Sequence, residues 1–265
     1  MSNKTFSELM AACEPIEQSK IKAQITDNWM QGRTTYGGLS AALCLKAAQL
    51  TLADLTPLRS ALVNFIGPVG GEVDMSVDIL RAGKSVSNVQ VNMNGEKGLA
   101  THSVFSFGAA RKSRLDRSFV PRPDVPGVAE STDFFNTKST PPRFTEQFDV
   151  KLAKGGLPMS GSSKHEHFIW VRHKDTSAND LAALLGVADM PPPAVLPMFT
   201  EFAPISSMTW MINILTDEFT SEDGWWLLRS AADHAKDGYS SQDMQIWNSR
   251  GELVTTGHQS VAVFY

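Results

Sequence analysis

The sequence predicts an α+β protein built from two similar lobes, each an apolar helix laid against an antiparallel sheet. The first observation is a duplication. Ile79-Leu80-Arg81, a Gly/Ser turn, Val89 to Met93, Asn94-Gly95 and Leu99 to Phe107 form one copy. Leu227-Leu228-Arg229, an Asp/Gly/Ser loop, Met244 to Trp247, Arg250-Gly251 and Leu253 to Phe264 form the other. Both alternate polar and apolar residues around a Gly-containing turn, which is how a hairpin with one buried face is written. The second observation is an Ala/Leu-rich helical stretch before each copy, and the third is the Gly, Pro or Asn punctuation between the strand-length runs.

In order, a polar leader precedes a strand-like run from Gln24 to Thr35 around Trp29, ending in Tyr36-Gly37-Gly38. Leu39 to Leu50 follows with almost no polar face, as in a helix buried on most sides, and the glycines before it admit a close neighbour. Strands are expected at Arg59–Phe65, Glu72–Leu80, Ser85–Met93 and Leu99–Phe107. Ala109 to Phe144 holds Arg111, Lys112, Arg114, Arg117, Arg122 and five prolines, and reads as an extended surface linker. The domain reading is therefore a first lobe over 1–110, a linker over 111–143 and a second lobe over 144–265.

The second lobe repeats the order. Strands are expected at Phe144–Leu152 and His165–His173. Ser177-Ala178-Asn179-Asp180 has capping-box spacing before a helix from Leu181 to Asp189, and Pro191-Pro192-Pro193 stops it. Further strands are expected at Ile205–Leu215, Trp225–Ala231, Ser240–Trp247 and Leu253–Phe264.

Composition narrows the function. The chain has 265 residues, 42% of them hydrophobic, enough for a substantial core in a soluble globular protein. A net charge of -4 disfavours a nucleic-acid binder, whose surface carries clustered basic residues. Cys13 and Cys44 form no C-x-x-C pair, Lys4 and Glu8 interrupt any signal-peptide core, and the apolar run Gly37–Leu50 is too short for a membrane span. A cytoplasmic location is the expectation. No G-x-S-x-G, P-loop or G-x-G-x-x-G is present, and Gly67-Pro68-Val69-Gly70-Gly71 reads as a hairpin turn.

Asp189 stands where an apolar helix meets a proline run. It reads either as a solvated helix-end acid or as a desolvated carboxylate suited to a general base. Gln259, in the last strand, either faces outward or offers an inward amide to a water or an oxyanion. Ser206, Ser207 and Thr209 supply hydroxyls at the start of another strand. His165-Glu166-His167 lacks further ligands, so no metal is expected, and His102 and His258 hold matching places in the two copies. Met190, Met198, Phe199, Met208 and Met211 read either as core or as the lining of an apolar slot.

The whole pattern resembles the acyl-CoA thioesterase II family, whose members carry two fused hotdog lobes. The resemblance rests on Trp29-Met30-Gln31-Gly32-Arg33, Tyr36-Gly37-Gly38, Phe65-Ile66-Gly67-Pro68-Val69, Leu80 to Ser85 and Ser103 to Phe107 in the first half. In the second it rests on Ala188-Asp189, Trp226-Leu227-Leu228, Gly251-Glu252-Leu253-Val254 and Gln259. It implies a double hotdog, its two antiparallel sheets each wrapped on a central helix and joined into one continuous sheet. It also implies hydrolysis of an acyl-CoA thioester without cofactor or metal, and a homodimer or larger homo-oligomer with neither nucleic-acid nor membrane partner.

The family's catalytic Asp, hydroxyl and Gln fall on Asp189, Ser207 and Gln259, and a one-residue slip would select Ser206 instead of Ser207. Gly37, Gly38, Met190 and Met208 are the expected substrate contacts. Where the family often has an Asp-His pair, this chain has Thr209-Trp210. Two alternatives remain: a non-catalytic acyl-CoA or lipid-binding hotdog protein, and a hotdog hydratase or dehydratase, whose helix acid would pair with a His absent from Met190-Pro191-Pro192-Pro193.

Overall fold

Alternating apolar and polar residues give each long strand one face for the helices and one for the outside. The computed structural model describes residues 2–52, 54–135 and 140–265. The first half contains helix α1 (Phe6–Ala11), β1 (Glu14–Glu17), β2 (Lys20–Gln24), the short pair β3 (Met30–Gln31) and β4 (Thr34–Thr35), and helix α2 (Gly37–Thr51). It continues with β5 (Leu58–Phe65), β6 (Glu72–Ala82), β7 (Val86–Gly95) and β8 (Gly98–Gly108). The second half contains β9 (Thr132–Asp133), β10 (Phe148–Lys154), β11 (Glu166–His173), helix α3 (Leu181–Ala188), β12 (Ile205–Ile214), β13 (Trp226–Lys236), β14 (Tyr239–Trp247) and β15 (Leu253–Val263).

All but β3 and β4 join one 13-stranded antiparallel sheet in the order β1-β2-β6-β7-β8-β5-β12-β15-β14-β13-β11-β10-β9. Reading outward from its centre gives β5-β8-β7-β6-β2-β1 on one side and β12-β15-β14-β13-β11-β10 on the other. The same unit has been used twice about a pseudo-twofold axis. The seam is the β5–β12 ladder, from Thr209↔Asn64 to Asn213↔Ser60. The expected α+β double hotdog with one continuous sheet is therefore the fold, and β9 adds a strand at one edge.

Both helices lie in one apolar core and pack against each other across the seam. Leu39, Leu43 and Leu45 of α2 and every residue of α3 are buried. Truncating such a leucine to alanine typically costs about 2–5 kcal/mol, so these helices are held by the sheet rather than by their own propensity.

Several expectations need correction. Gly67-Pro68-Val69-Gly70-Gly71 joins β5 to β6, which do not pair with each other, so it is a crossover and not a hairpin turn. Phe144 lies in a 3-10 turn over Arg143–Gln147, and the strand expected from it begins at Phe148. The polar leader contains α1, capped by the reciprocal Thr5/Glu8 pair, and Phe6 packs on Trp29 and on His173 of the second lobe. Trp29 lies in a single 3-10 turn rather than a strand. Here Thr26 Oγ1 donates to Asn28 Oδ1 (2.6 Å), while Asn28 Nδ2 and Trp29 Nε1 donate to the Lys4 carbonyl, so side-chain bonds replace a ladder. Helix α3 is capped by Asp180, which accepts from the Ala183 N–H at 2.8 Å, and not through Ser177.

The linker is also more ordered than an extended connection. Val120, Val125 and Val128 cover Phe168, Trp170 and Trp247 on the outer face, the Pro126 carbonyl accepts from Trp170 Nε1, and β9 pairs with β10. Its residues 136–139 lie outside the described set.

Candidate active site

Tyr36-Gly37-Gly38 opens α2, and Asp189 closes α3 because Pro191-Pro192-Pro193 offers no backbone N–H to continue it. Across the seam the two helix ends meet. Tyr36 Oη donates to the Gly186 carbonyl at 2.5 Å and its ring stacks on Phe144, with centroids 4.2 Å apart. The approach is so close that a Cβ at position 37 would stand 2.6 Å from Asp189 Oδ2 and 3.0 Å from the Phe65 ring. Only glycine admits the carboxylate there. At position 38 the backbone N–H donates to Asp189.

Gln259 reaches the same carboxylate from β15, donating from Nε2 to Asp189 Oδ1 at 3.0 Å. Its Oε1 accepts from Gln242 Nε2 at 2.9 Å, and Gln242 Oε1 in turn accepts from the Ala194 N–H at 2.8 Å. Gln242 and Gln259 are direct cross-strand partners of β14 and β15, with 0% and 3% of their surface exposed. Two buried amides are thus satisfied in series.

Burial pushes the Asp189 carboxyl up from 3.8 to about 7, and the hydrogen bonds from Gln259 and Gly38 pull against that rise without cancelling it. The residue keeps a partly exposed edge. The macrodipoles oppose one another: the C-terminus of α3 disfavours a charge, and the N-terminus of α2 favours one. A carboxylate poised near neutrality can take a proton in one step and return it in the next.

Strand register separates the two serines. Ser207 pairs with Val261, and Trp210 pairs with Gln259, so Ser207 shares the inner face with Gln259. Ser206 pairs with Ala262 and is exposed on the other face. Neither hydroxyl is hydrogen-bonded to Asp189 or Gln259. Met208 is the extra residue of a bulge between Ser207 and Thr209, with 40% of its surface exposed. Met190 and Phe199 are buried, Met198 is exposed, and Met211 faces outward opposite His258. Strand alternation removes Met211 from the expected slot.

The remaining candidates lie elsewhere. His102 and His258 bond to Asn92 and Asp243 across the outer face of their hairpins. His165 is exposed, whereas His167 is wholly buried and neutral, its burial lowering it to about 4. Among the described residues, Asp233, Asp243 and His258 bring three ligand atoms within 4.8 Å, on the face opposite Gln259. There His258 Nδ1 already serves both acids, at 3.8 and 3.0 Å. Burial pushes the thiols of Cys13 and Cys44 up to about 11 and about 12, which leaves them protonated and unreactive.

Sequence reasoning missed Tyr36, Phe65 and Gln242 as parts of this site. For Gln242 a signal existed: it occupies the same strand parity as the buried Met244 and Ile246.

Comparison with known proteins gives the fold and the family. A hot dog fold protein from Alicyclobacillus acidocaldarius superposes with a TM-score of 0.88 at 22% identity, covering 100% of this chain and 99% of the other. The acyl-CoA thioesterase II TesB2 of Mycobacterium marinum gives 0.77 at 18%, covering 97% and 98%. The dehydratase domain of RzxB from Pseudomonas fluorescens gives 0.61 at 12%, covering 97% and 99%. No curated protein sequence matches the chain. No helix among the described residues is long and apolar enough to cross a membrane. The acyl-CoA thioesterase N-terminal domain model matches residues 25–108, and the C-terminal domain model matches 121–263. With both halves matched in order, and together spanning most of its length, the chain belongs to the acyl-CoA thioesterase family.

Proposed function

We propose that the protein hydrolyses an acyl-CoA thioester to the free acid and CoA, with Asp189 as general base, Ser207 holding the water and Gln259 donating to the substrate carbonyl or the water. The observation that carries this reading is the Gln259–Asp189 hydrogen bond of 3.0 Å beside a carboxyl lifted to about 7. Asp189 takes one proton from the water as its oxygen bonds to the carbonyl carbon. The oxyanion is met by the Gln259 N–H. When the tetrahedral intermediate collapses the C–S bond breaks, and the proton held by Asp189 goes to the departing sulfur. A thiolate leaves readily, so one tuned base suffices and no metal or cofactor enters the scheme. In this reading Gly37, Gly38, Met190 and Met208 are the substrate contacts.

Dehydration chemistry needs a second proton-transfer group beside the acid, and His173, which packs against α3, is turned to the Ala183 carbonyl at 3.0 Å. The same reading includes lobes bounded at 1–110 and 144–265, a homodimer or larger assembly, and a cytoplasmic location, with which two unpaired cysteines agree. Incubating the purified protein with a panel of acyl-CoAs and a thiol reagent tests the activity. Free CoA is the expected product, a change in unsaturation would instead mark a hydratase, and binding without turnover would mark a carrier.

A further inference from the structure

We infer that Gln242 is a positioning residue: a buried relay from the Ala194 backbone N–H through Gln242 fixes which end of the Gln259 amide faces Asp189. The inference rests on the reaction proposed above and adds to it the device that sets the donor's polarity.

An amide side chain is nearly symmetric in shape, so something must decide which end is oxygen and which is nitrogen. Here a backbone group decides. A main-chain N–H can only donate, and Ala194 N lies 2.8 Å from Gln242, so the Gln242 oxygen faces Ala194 and its NH2 faces β15. The oxygen of Gln259 must then turn to that NH2, at 2.9 Å, and the Gln259 NH2 must turn to Asp189, at 3.0 Å. Reversing either amide would set donor against donor or acceptor against acceptor among groups that water does not reach, since Ala194 and Gln242 are 0% exposed.

The prolines explain why Ala194 is the anchor. Pro191, Pro192 and Pro193 carry no N–H, so Ala194 has the first backbone donor after Met190, and the three rings restrict its placement. The run that stops α3 also aims the donor at β14. One consequence follows for catalysis. Gln259 Oε1 is turned to Gln242, so the end of the amide beside Asp189 is the NH2, and the Nε2 hydrogen that Asp189 does not use is the group offered toward substrate. An NH2 has no lone pair to take a proton from the attacking water, so that work falls to Asp189.

The test compares Gln242→Met, Gln242→Glu and Asp189→Asn with wild type in CoA release across pH. Gln242→Met keeps the length and removes the polarity. It should lower kcat about 10- to 100-fold with little change in KM, and move the ascending limb of the pH profile upward as Asp189 loses a fixed donor. A protonated Gln242→Glu side chain reproduces both bonds, its O–H donating to Gln259 and its carbonyl accepting from Ala194. Ionised, it has nothing to donate. That variant should therefore work only in the window where Asp189 is ionised and the introduced carboxyl still holds its proton, giving a bell-shaped profile with a descending limb that wild type lacks, which a purely structural role would not create.

Wild-type kcat and an unchanged profile in both variants would overturn the relay. If Asp189→Asn is inactive in the same series, the base assignment survives that failure. If Asp189→Asn is active, the base assignment itself is at fault. Should the Gln242 variants not fold, side-chain amide NMR of wild type decides. Slow exchange at Gln242 and Gln259, with the Gln259 NH2 signals following the Asp189 titration, supports the relay, and fast exchange or flat signals overturn it.

Discussion

Asp189 carries a stability cost that its replacement by asparagine should reveal. Its carboxyl is 3.8 in the unfolded chain and about 7 in the folded protein. Below pH 3.8 both states are protonated and the site costs nothing. As pH rises from there toward 7 the unfolded chain ionises while the folded site holds its proton, so stability falls; above 7 the full cost is present. At 1.36 kcal/mol per tenfold change in proton affinity, the rise corresponds to about 4 kcal/mol. Water at the partly exposed edge of Asp189 reduces this, so about 2–4 kcal/mol is expected. Asp189→Asn removes the charge and keeps one carbonyl oxygen to accept from Gln259. The variant should melt about 5–15 °C above wild type at pH 9, with the gap closing toward pH 4. Paired thermal melts across that range measure it. A variant less stable than wild type at pH 9, or a gap independent of pH, would refute the reasoning.

Three further outcomes follow from the same geometry. Gly37→Ala puts a methyl 2.6 Å from Asp189 Oδ2, and should cut CoA release by about tenfold or more by displacing the carboxylate; unchanged turnover would contradict the close approach. Tyr36→Phe deletes the bond to the Gly186 carbonyl and should cost about 1–3 kcal/mol in denaturant unfolding, since it leaves a buried acceptor unpaired. Ser207→Ala should slow turnover about 10- to 100-fold while Ser206→Ala does not, because only Ser207 shares a face with Gln259; equal effects would contradict the register argument.

The parts of the fold legible in the sequence were those that one-dimensional patterning controls. Strand alternation gave β5 to β8, β12, β14 and β15 nearly to their ends and β13 only to Ala231 of Trp226–Lys236, and the apolar run after Gly37-Gly38 gave α2. Where side chains compete with the backbone, the pattern misled: Thr26 and Asn28 turn the chain at Trp29, and Asp180 takes the cap that Ser177-Ala178-Asn179-Asp180 placed one turn earlier. α1 was obscured by its polar neighbours, although Thr5 and Glu8 spell a capping box. Docking of the linker valines on Trp170 and Trp247 could not be read at all, since nothing local records which face of a distant sheet lies bare.

In the site, Asp189 was visible because an acid between an apolar helix and a proline run is chemically conspicuous. Its meeting with Gln259 was implied only by the family resemblance, and its close approach to Gly37 and Gly38 was not legible, because it depends on helix ends from two lobes crossing at a seam. The Gln242 relay needs both a strand parity and a loop N–H, and only the second requires coordinates.

The most direct test of the central claim is the pH dependence of kcat/KM for acyl-CoA hydrolysis by wild type beside the turnover of Asp189→Asn. The account requires activity to rise with pH through a single ionisation near 7, level off above it, and be lost in a variant that remains folded. Near-normal rates in folded Asp189→Asn, or a wild-type profile flat across neutrality, would contradict it.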